Sequence, residues 1–272
     1  MATWNRVSSA IFDALLAPFG HGPAWFDLLL WPVLAGVFAL VVYKHLSNQR
    51  GIERAKSRIA AHLYEIRLFR HDPLAVLAST GRILLRNGVY LGHNLVPLAV
   101  LLVPMLAVLA QLEANYAFDP VPVGTVELLE VRLDPKAGVS PRDVSLDLPP
   151  GVALDAPPVR TADGEVFWRL RAEAPGDHVL SLRVAGETLT KTWAVGGGPR
   201  KVPVKRAKRL EAFLYPGEPA LTLASPVDII ALAYPERDLG FLPGGEVGIL
   251  ATFFGLSLLA GFALKGPLGV TL

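Results

Sequence analysis

"SNQRGIERAKSRIAAHLYEIRLFRHDP" runs from Ser47 to Pro73, and its reading decides how the rest of the chain is arranged. Ile52, Ile59 and Ile66 recur every seven residues, with Ala55, His62 and Phe69 at the intervening offsets. That is an a/d seam over about two and a half heptads, with arginines on the other faces. His71-Asp72-Pro73 stops the helix, because a residue before proline avoids the α region. Asp72 can then cap a second helix that has Pro73 at its first position. Leu74, Leu77 and Leu84 carry that helix toward Asn87 and Gly88. The segment 44–88 is predicted to be an antiparallel helical hairpin.

Both neighbours of the hairpin are apolar. Trp25–Tyr43 (WFDLLLWPVLAGVFALVVY) and Val89–Leu112 are each long enough to cross a hydrocarbon core of about 30 Å. Val247–Leu264 (VGILATFFGLSLLAGFAL), between Glu246 and Lys265, is a third such run. Spans are predicted at 25–43, 89–112 and 244–265. With 52% hydrophobic and only 18% charged residues, the composition agrees that part of the chain lies in a membrane. The first run is too long for a signal-peptide core and no A-x-A-like site follows it, so it reads as an uncleaved anchor.

The hairpin also sets the orientation. Lys44, Arg50, Arg54, Lys56, Arg58, Arg67, Arg70, Arg82 and Arg86 face only Glu53, Glu65 and Asp72. In a loop this short the excess places the hairpin in the cytoplasm. The N-terminus and residues 113–243 are then periplasmic, and the tail 266–272 is cytoplasmic. A second basic cluster, Pro199–Arg209, lies in a long segment where such counts carry little weight. The arginines Arg50, Arg54, Arg58, Arg67, Arg70, Arg82 and Arg86 form either a solvated, topology-setting face against anionic lipid or a surface for a ribosome, RNA or an acidic partner. Residues 1–24 read as an amphipathic helix, lying on the outer leaflet or packed on the outer domain.

From Thr125 the period changes to two. "VELLEVRLD", "VSLDL", "GEVFWRLRA", "GDHVLSLRVAG" and "ETLTKTWAVG" alternate between Pro, Gly and Asp turn signals, and the last two join at Ala185-Gly186 as a hairpin. These runs and two weaker ones predict an immunoglobulin-like sandwich. "PVDIIALAYPERDLGF" is expected as a short helix or strand resting on the membrane. The fold class is thus a membrane protein of three α-helical spans, a cytoplasmic helical hairpin and an inserted all-β immunoglobulin-like sandwich outside.

The chain has no cysteine, so thiol nucleophiles, disulfides and zinc–thiolate sites are excluded. The outer segment holds one histidine, His178, and no serine in a G-x-S-x-G context, P-loop or G-x-G-x-x-G. No enzymatic activity, metal or cofactor is expected, and no DNA partner. Polar residues near the spans are scarce: Asn87, His93 and Asn94 at the second, Thr252 and Ser257 in the third. They either line a hydrated groove or bond neighbouring helices as structural glue.

An N-out amphipathic helix, a first span, a basic helical hairpin continuous with a second span and then a third span together resemble the YidC-type insertase superfamily, in its minimal three-span members. The resemblance covers Met1–Gln111 and Gly245–Leu272. It implies a membrane-protein insertase or chaperone that guides nascent membrane proteins from the ribosome through a polar groove, without covalent chemistry. In that reading the groove candidates are Asn87, His93, Asn94, Thr252 and Ser257. The chain departs from the pattern in having no arginine within its spans and in carrying the inserted sandwich. A different class of function fits the same features: a non-catalytic anchoring subunit of a bacterial envelope complex in the inner membrane, binding other subunits through its periplasmic sandwich, with membrane lipids around its spans.

Overall fold

A computed structural model of the chain describes residues 10–12, 14 and 24–270. Most of the expected N-terminal amphipathic helix, 1–24, and the last two residues of the tail lie outside the described residues. The chain divides into two compact units, one of Leu29–Leu106 with Phe254–Leu272, the other of Met1–Leu28 with Ala107–Phe253.

Among the described residues, three helices are long and apolar enough to cross a membrane: α1 (Ala24–Leu46), α3 (Pro73–Tyr116) and α5 (Gly245–Leu264). Between the first two lies α2 (Gln49–Leu68). The expected second span is the distal part of a 44-residue helix that begins at the hairpin turn. At 1.5 Å per residue, α3 is about 66 Å long, roughly twice a hydrocarbon core. Pro32 interrupts the hydrogen-bond ladder of α1, and Pro97 and Pro104 that of α3.

Local signals in the quoted segment act as their chemistry dictates. Asn48 Oδ1 accepts from Gly51 N at 3.0 Å and caps α2. Asp72 Oδ1 accepts from Leu74 N and Ala75 N at 3.0 and 3.2 Å and caps α3. Of the heptad seam, Ile52 and Ala55 are buried and Ile59, His62 and Ile66 half-buried, whereas Phe69, beyond the last turn, is exposed.

Among its described residues the second unit holds an antiparallel β-region of eight strands: β1 (Val126–Leu133), β2 (Val144–Asp147), β3 (Val152–Arg160), β4 (Glu165–Ala172), β5 (Gly176–Val184), β6 (Glu187–Val195), β7 (Lys205–Ala207) and β8 (Val227–Leu232). They form a five-stranded sheet, β3-β4-β1-β8-β7, and a three-stranded one, β2-β5-β6. One core joins the sheets: Leu129, Trp168 and Ile230 from the larger meet Leu180, Leu182 and Trp193 from the smaller. All five runs read from alternation are strands. The segment expected as a short helix or strand supplies β8, which pairs β1 on one side and β7 on the other. Its burial, with Val227, Ile229, Ile230 and Leu232 inside, explains its near-continuous apolar reading.

The basic cluster 199–209 is engaged inside this unit. Arg200 pairs with Asp177 at 2.7 Å, Lys205 with Glu211 at 3.2 Å, and Lys208 with Asp134 and Asp228 at 2.9 and 3.1 Å. Arg206 donates to the Pro219 and Thr190 carbonyls at 2.7 and 2.6 Å. Nearby, the fully buried Lys191 is paired with Glu218 and donates to the Pro203 carbonyl. Burial pushes the Lys191 ammonium below its usual value, with Glu218 opposing.

Candidate functional site

The residues singled out in sequence fall mainly on the hairpin and the helices beside it. Facing positions on α2 and α3 advance on one helix as they retreat on the other. Glu65 meets Ser79, Lys56 lies 5.6 Å from the Tyr90 ring centre, and a Cβ on Gly51 would lie 2.9 Å from His93 Nε2. The two arms are therefore antiparallel.

At the distal end Glu65 is the polar tie. Its Oε2 lies 2.8 Å from His62 Nδ1, accepts from Ser79 Oγ at 3.0 Å and faces Arg82 Nη1 at 3.8 Å. The His62 bond, then the Ser79 bond, hold the Glu65 carboxyl below the usual carboxylate range. His62 on the seam is thus a partner of Glu65. Arg50, Arg54, Arg58, Arg67, Arg70 and Arg82 are exposed, and Arg86 is half-buried.

Large apolar side chains lie exposed among these arginines. Leu68 is 75% and Leu74 78% exposed, and Leu63, Tyr64, Phe69, Leu77, Leu84 and Leu85 are exposed with them. Seam periodicity did not single out Leu63, Tyr64 and Leu68, which lie off the a/d positions of α2; Phe69 is the last position of that seam, and Leu74, Leu77 and Leu84 were read only as carrying the second helix. Leucines at the non-seam positions of an otherwise arginine-rich helix were the available signal.

Closer to the spans, Asn94 accepts a hydrogen bond from the Tyr43 hydroxyl of α1 and donates to the Tyr90 carbonyl at 2.6 Å. His93 is half-buried against the start of α2, and Asn87 is exposed. Ser257 Oγ donates to the Pro32 carbonyl at 2.8 Å. One turn along α1, a Cβ on Gly36 would lie 2.4 Å from the Ser257 carbonyl oxygen, so α1 and α5 cross at backbone contact. Thr252 is half-buried on α5. The polar candidates are therefore not gathered in one place: Asn94 and His93 tie α3 to α1 and α2, while Ser257 ties α5 to α1.

Asp27 was passed over in sequence, although an acidic side chain inside an apolar run is itself a signal. It is 2% exposed on the first turn of α1, and its Oδ2 accepts from Tyr116 Oη at 2.5 Å. Arg237, also buried, donates to Asp119 at 2.7 Å and to the Phe118 and Arg200 carbonyls at 3.2 and 3.3 Å. Among the described residues no group of three or more His, Asp or Glu side chains is placed to hold a metal ion. No family model, curated protein or solved structure matches the chain.

Proposed function

We propose that this chain handles apolar protein segments at a membrane, acting as an insertase or membrane chaperone without covalent chemistry. The observation that carries the reading is the pairing of an exposed apolar row with arginines on a hairpin whose second arm continues, unbroken in sequence, into a membrane-length helix. Exposed leucine and phenylalanine cost free energy in water unless something covers them, and on a solvent-facing hairpin a passing apolar segment is a suitable cover. Asn87, His93 and Asn94 lie further along the same helix and supply polar partners on the route from the hairpin into the span. Lowering the cost of polar groups near hydrocarbon is the service such residues perform.

In this reading the hairpin and the C-terminal tail are cytoplasmic and the N-terminus and β-region periplasmic, in a bacterial inner membrane. The arrangement is that of the YidC-type resemblance, and the clients are nascent membrane proteins leaving the ribosome. The two-sheet region is taken as immunoglobulin-like in architecture and as a binding module.

A photo-crosslinking residue at Leu68, and separately at Asn87, tests the reading in the presence of ribosomes stalled on a nascent membrane segment. Adducts to the nascent chain from both positions are expected. Adducts from both positions to one fixed membrane protein, or to lipid alone, would overturn it in favour of the second reading. That reading is an anchoring subunit of an envelope complex which binds partners through the periplasmic β-region. It is favoured by α5, of whose most apolar stretch only 17% is buried within the chain, leaving a wide face for partner helices or lipid.

A further inference from the structure

The short loop between β8 and α5 separates its charged residues from its apolar ones. Its first part runs antiparallel to the chain leaving α3. Asp119 N donates to the Pro235 carbonyl and Arg237 N to the Ala117 carbonyl, each at 3.0 Å. Its last part is pressed against its first. A side chain on Gly244 would collide with the Arg237 carbonyl oxygen, and one on Gly245 with the Glu236 carboxylate. The chain therefore leaves and returns through one narrow neck. Beyond the neck, Gly240 N donates to Asp238 Oδ1 at 2.9 Å, and Leu239 pairs with Leu242 in an isolated bridge.

Arg237 and Asp238 line a cavity of about 380 Å³, which Asp27, Tyr116, Asp119 and Arg200 line as well. Acid and base are matched there, Arg237 with Asp119 at 2.7 Å. From Leu239 to Gly245 the loop carries no charge. Leu239 is buried, but Phe241 is 72% exposed. A turn that holds a phenylalanine ring outward costs free energy in water unless something covers the ring.

Position identifies the cover. The loop is bonded to the end of α3 and leads directly into α5, and the Phe241 ring lies 6.4 Å from that of Trp25 on the first turn of α1. Trp25 and Phe26, and Val247 on the first turn of α5, are exposed as well. Three membrane-length helices thus have an end at this loop. Aromatic side chains gather where such helices leave the hydrocarbon, because a ring suits the boundary between acyl chains and headgroups. We infer that the 239–245 loop is a lipid-binding element, with Phe241 inserted at that boundary in the leaflet beside the β-region. Its uncharged tip takes zwitterionic and anionic phospholipids alike. Because β8 leads into the loop, the contact fastens the larger sheet to the bilayer surface separately from the spans. The inference requires only that α1, α3 and α5 cross a membrane, and so stands apart from the client-handling role.

With no native cysteine, a nitroxide attached at Phe241→Cys is the only label on the chain. The full chain is reconstituted in vesicles of phosphatidylethanolamine and phosphatidylglycerol. Collisions of the label with oxygen, which partitions into hydrocarbon, are compared with those with a water-soluble nickel chelate. Oxygen should dominate, at a depth of about 5–10 Å into the headgroup–acyl boundary. Asp163→Cys, in the exposed β3–β4 turn, should give the opposite ratio. Nickel dominating at position 241 overturns the inference. A label there shielded from both reagents, the mark of a protein contact, overturns it too. A second measurement uses the wild type, so it does not depend on any variant folding. The vesicles carry a trace of phospholipid with a photoreactive diazirine at the headgroup end of one acyl chain. Adducts are expected on the peptide that holds residues 239–245, and adducts confined to the three spans would overturn the inference. Pure phosphatidylcholine vesicles should leave both readouts unchanged, whereas a requirement for one headgroup would overturn the uncharged interface as the ligand.

Discussion

Ala185 sits in the left-handed region with φ of 50°, followed by Gly186 at 82°, between paired Val184 and Glu187. Positive φ at both positions of a two-residue loop defines a turn in which asparagine then glycine is preferred, and alanine there is strained. Ala185→Asn is expected to stabilise the β-region by roughly 0.5–1 kcal/mol, read as a higher denaturant midpoint with unchanged slope. A charge tells the pH story. Lys208 Nζ donates to Asp134 Oδ2 at 2.9 Å, and this bond holds the Asp134 carboxyl below its ordinary value of 3.8. A carboxylate whose pKa is depressed on folding contributes stability that is complete above the unfolded value and is lost as pH falls through the folded one. Thermal midpoints should therefore begin to fall below about pH 4, and Lys208→Gln should remove this part of the fall. The Gly186 turn was legible in sequence because its glycine is a local signal. The Lys208–Asp134 pair was not, because its partners are far apart in the chain and charge gives no direction along a sequence.

Elements were legible in proportion to how strongly burial repeats along them. Ile52, Ala55, Ile59, His62 and Ile66 read as a seam because one helical face packs against a single neighbour, and five strands read from alternation because each buries one face. β8 was legible only as a short helix or strand, because both of its faces are covered, which erases the alternation. The crossing of α1 and α5 left only a glycine and a serine as its trace. There Gly36→Ala would force a Cβ to within 2.4 Å of the Ser257 carbonyl, an overpacking cost of about 1–3 kcal/mol. Gly255→Ala on α5, where a Cβ meets nothing within 4 Å, serves as the matched control. Thermal unfolding in detergent should separate the two variants, with Gly36→Ala lowered and Gly255→Ala unchanged.

For the molecule as a whole, the absence of cysteine makes topology directly measurable, since any thiol introduced is the only one. Cysteine at Asp163, in the exposed β3–β4 turn, should react with a membrane-impermeant maleimide in intact spheroplasts. Cysteine at Arg58 on the hairpin should react only after permeabilisation. The reverse pattern would invert the proposed orientation. Three apolar helices and a β-region were legible at this scale because hydropathy and period change abruptly at their borders. The buried Asp27 and its cavity were not, because they are assembled from α1, the end of α3 about 90 residues on and loops some 170 to 210 residues on. One further consequence lies in the prolines of α3. Pro97 and Pro104 remove the amides that would have bonded the carbonyls of His93 and Val100. Seven residues return to within about 20° of the same azimuth, so both missing bonds open on nearly one side of the rod. The helix therefore has a soft bending direction and a stiff one at right angles to it, like a leaf spring.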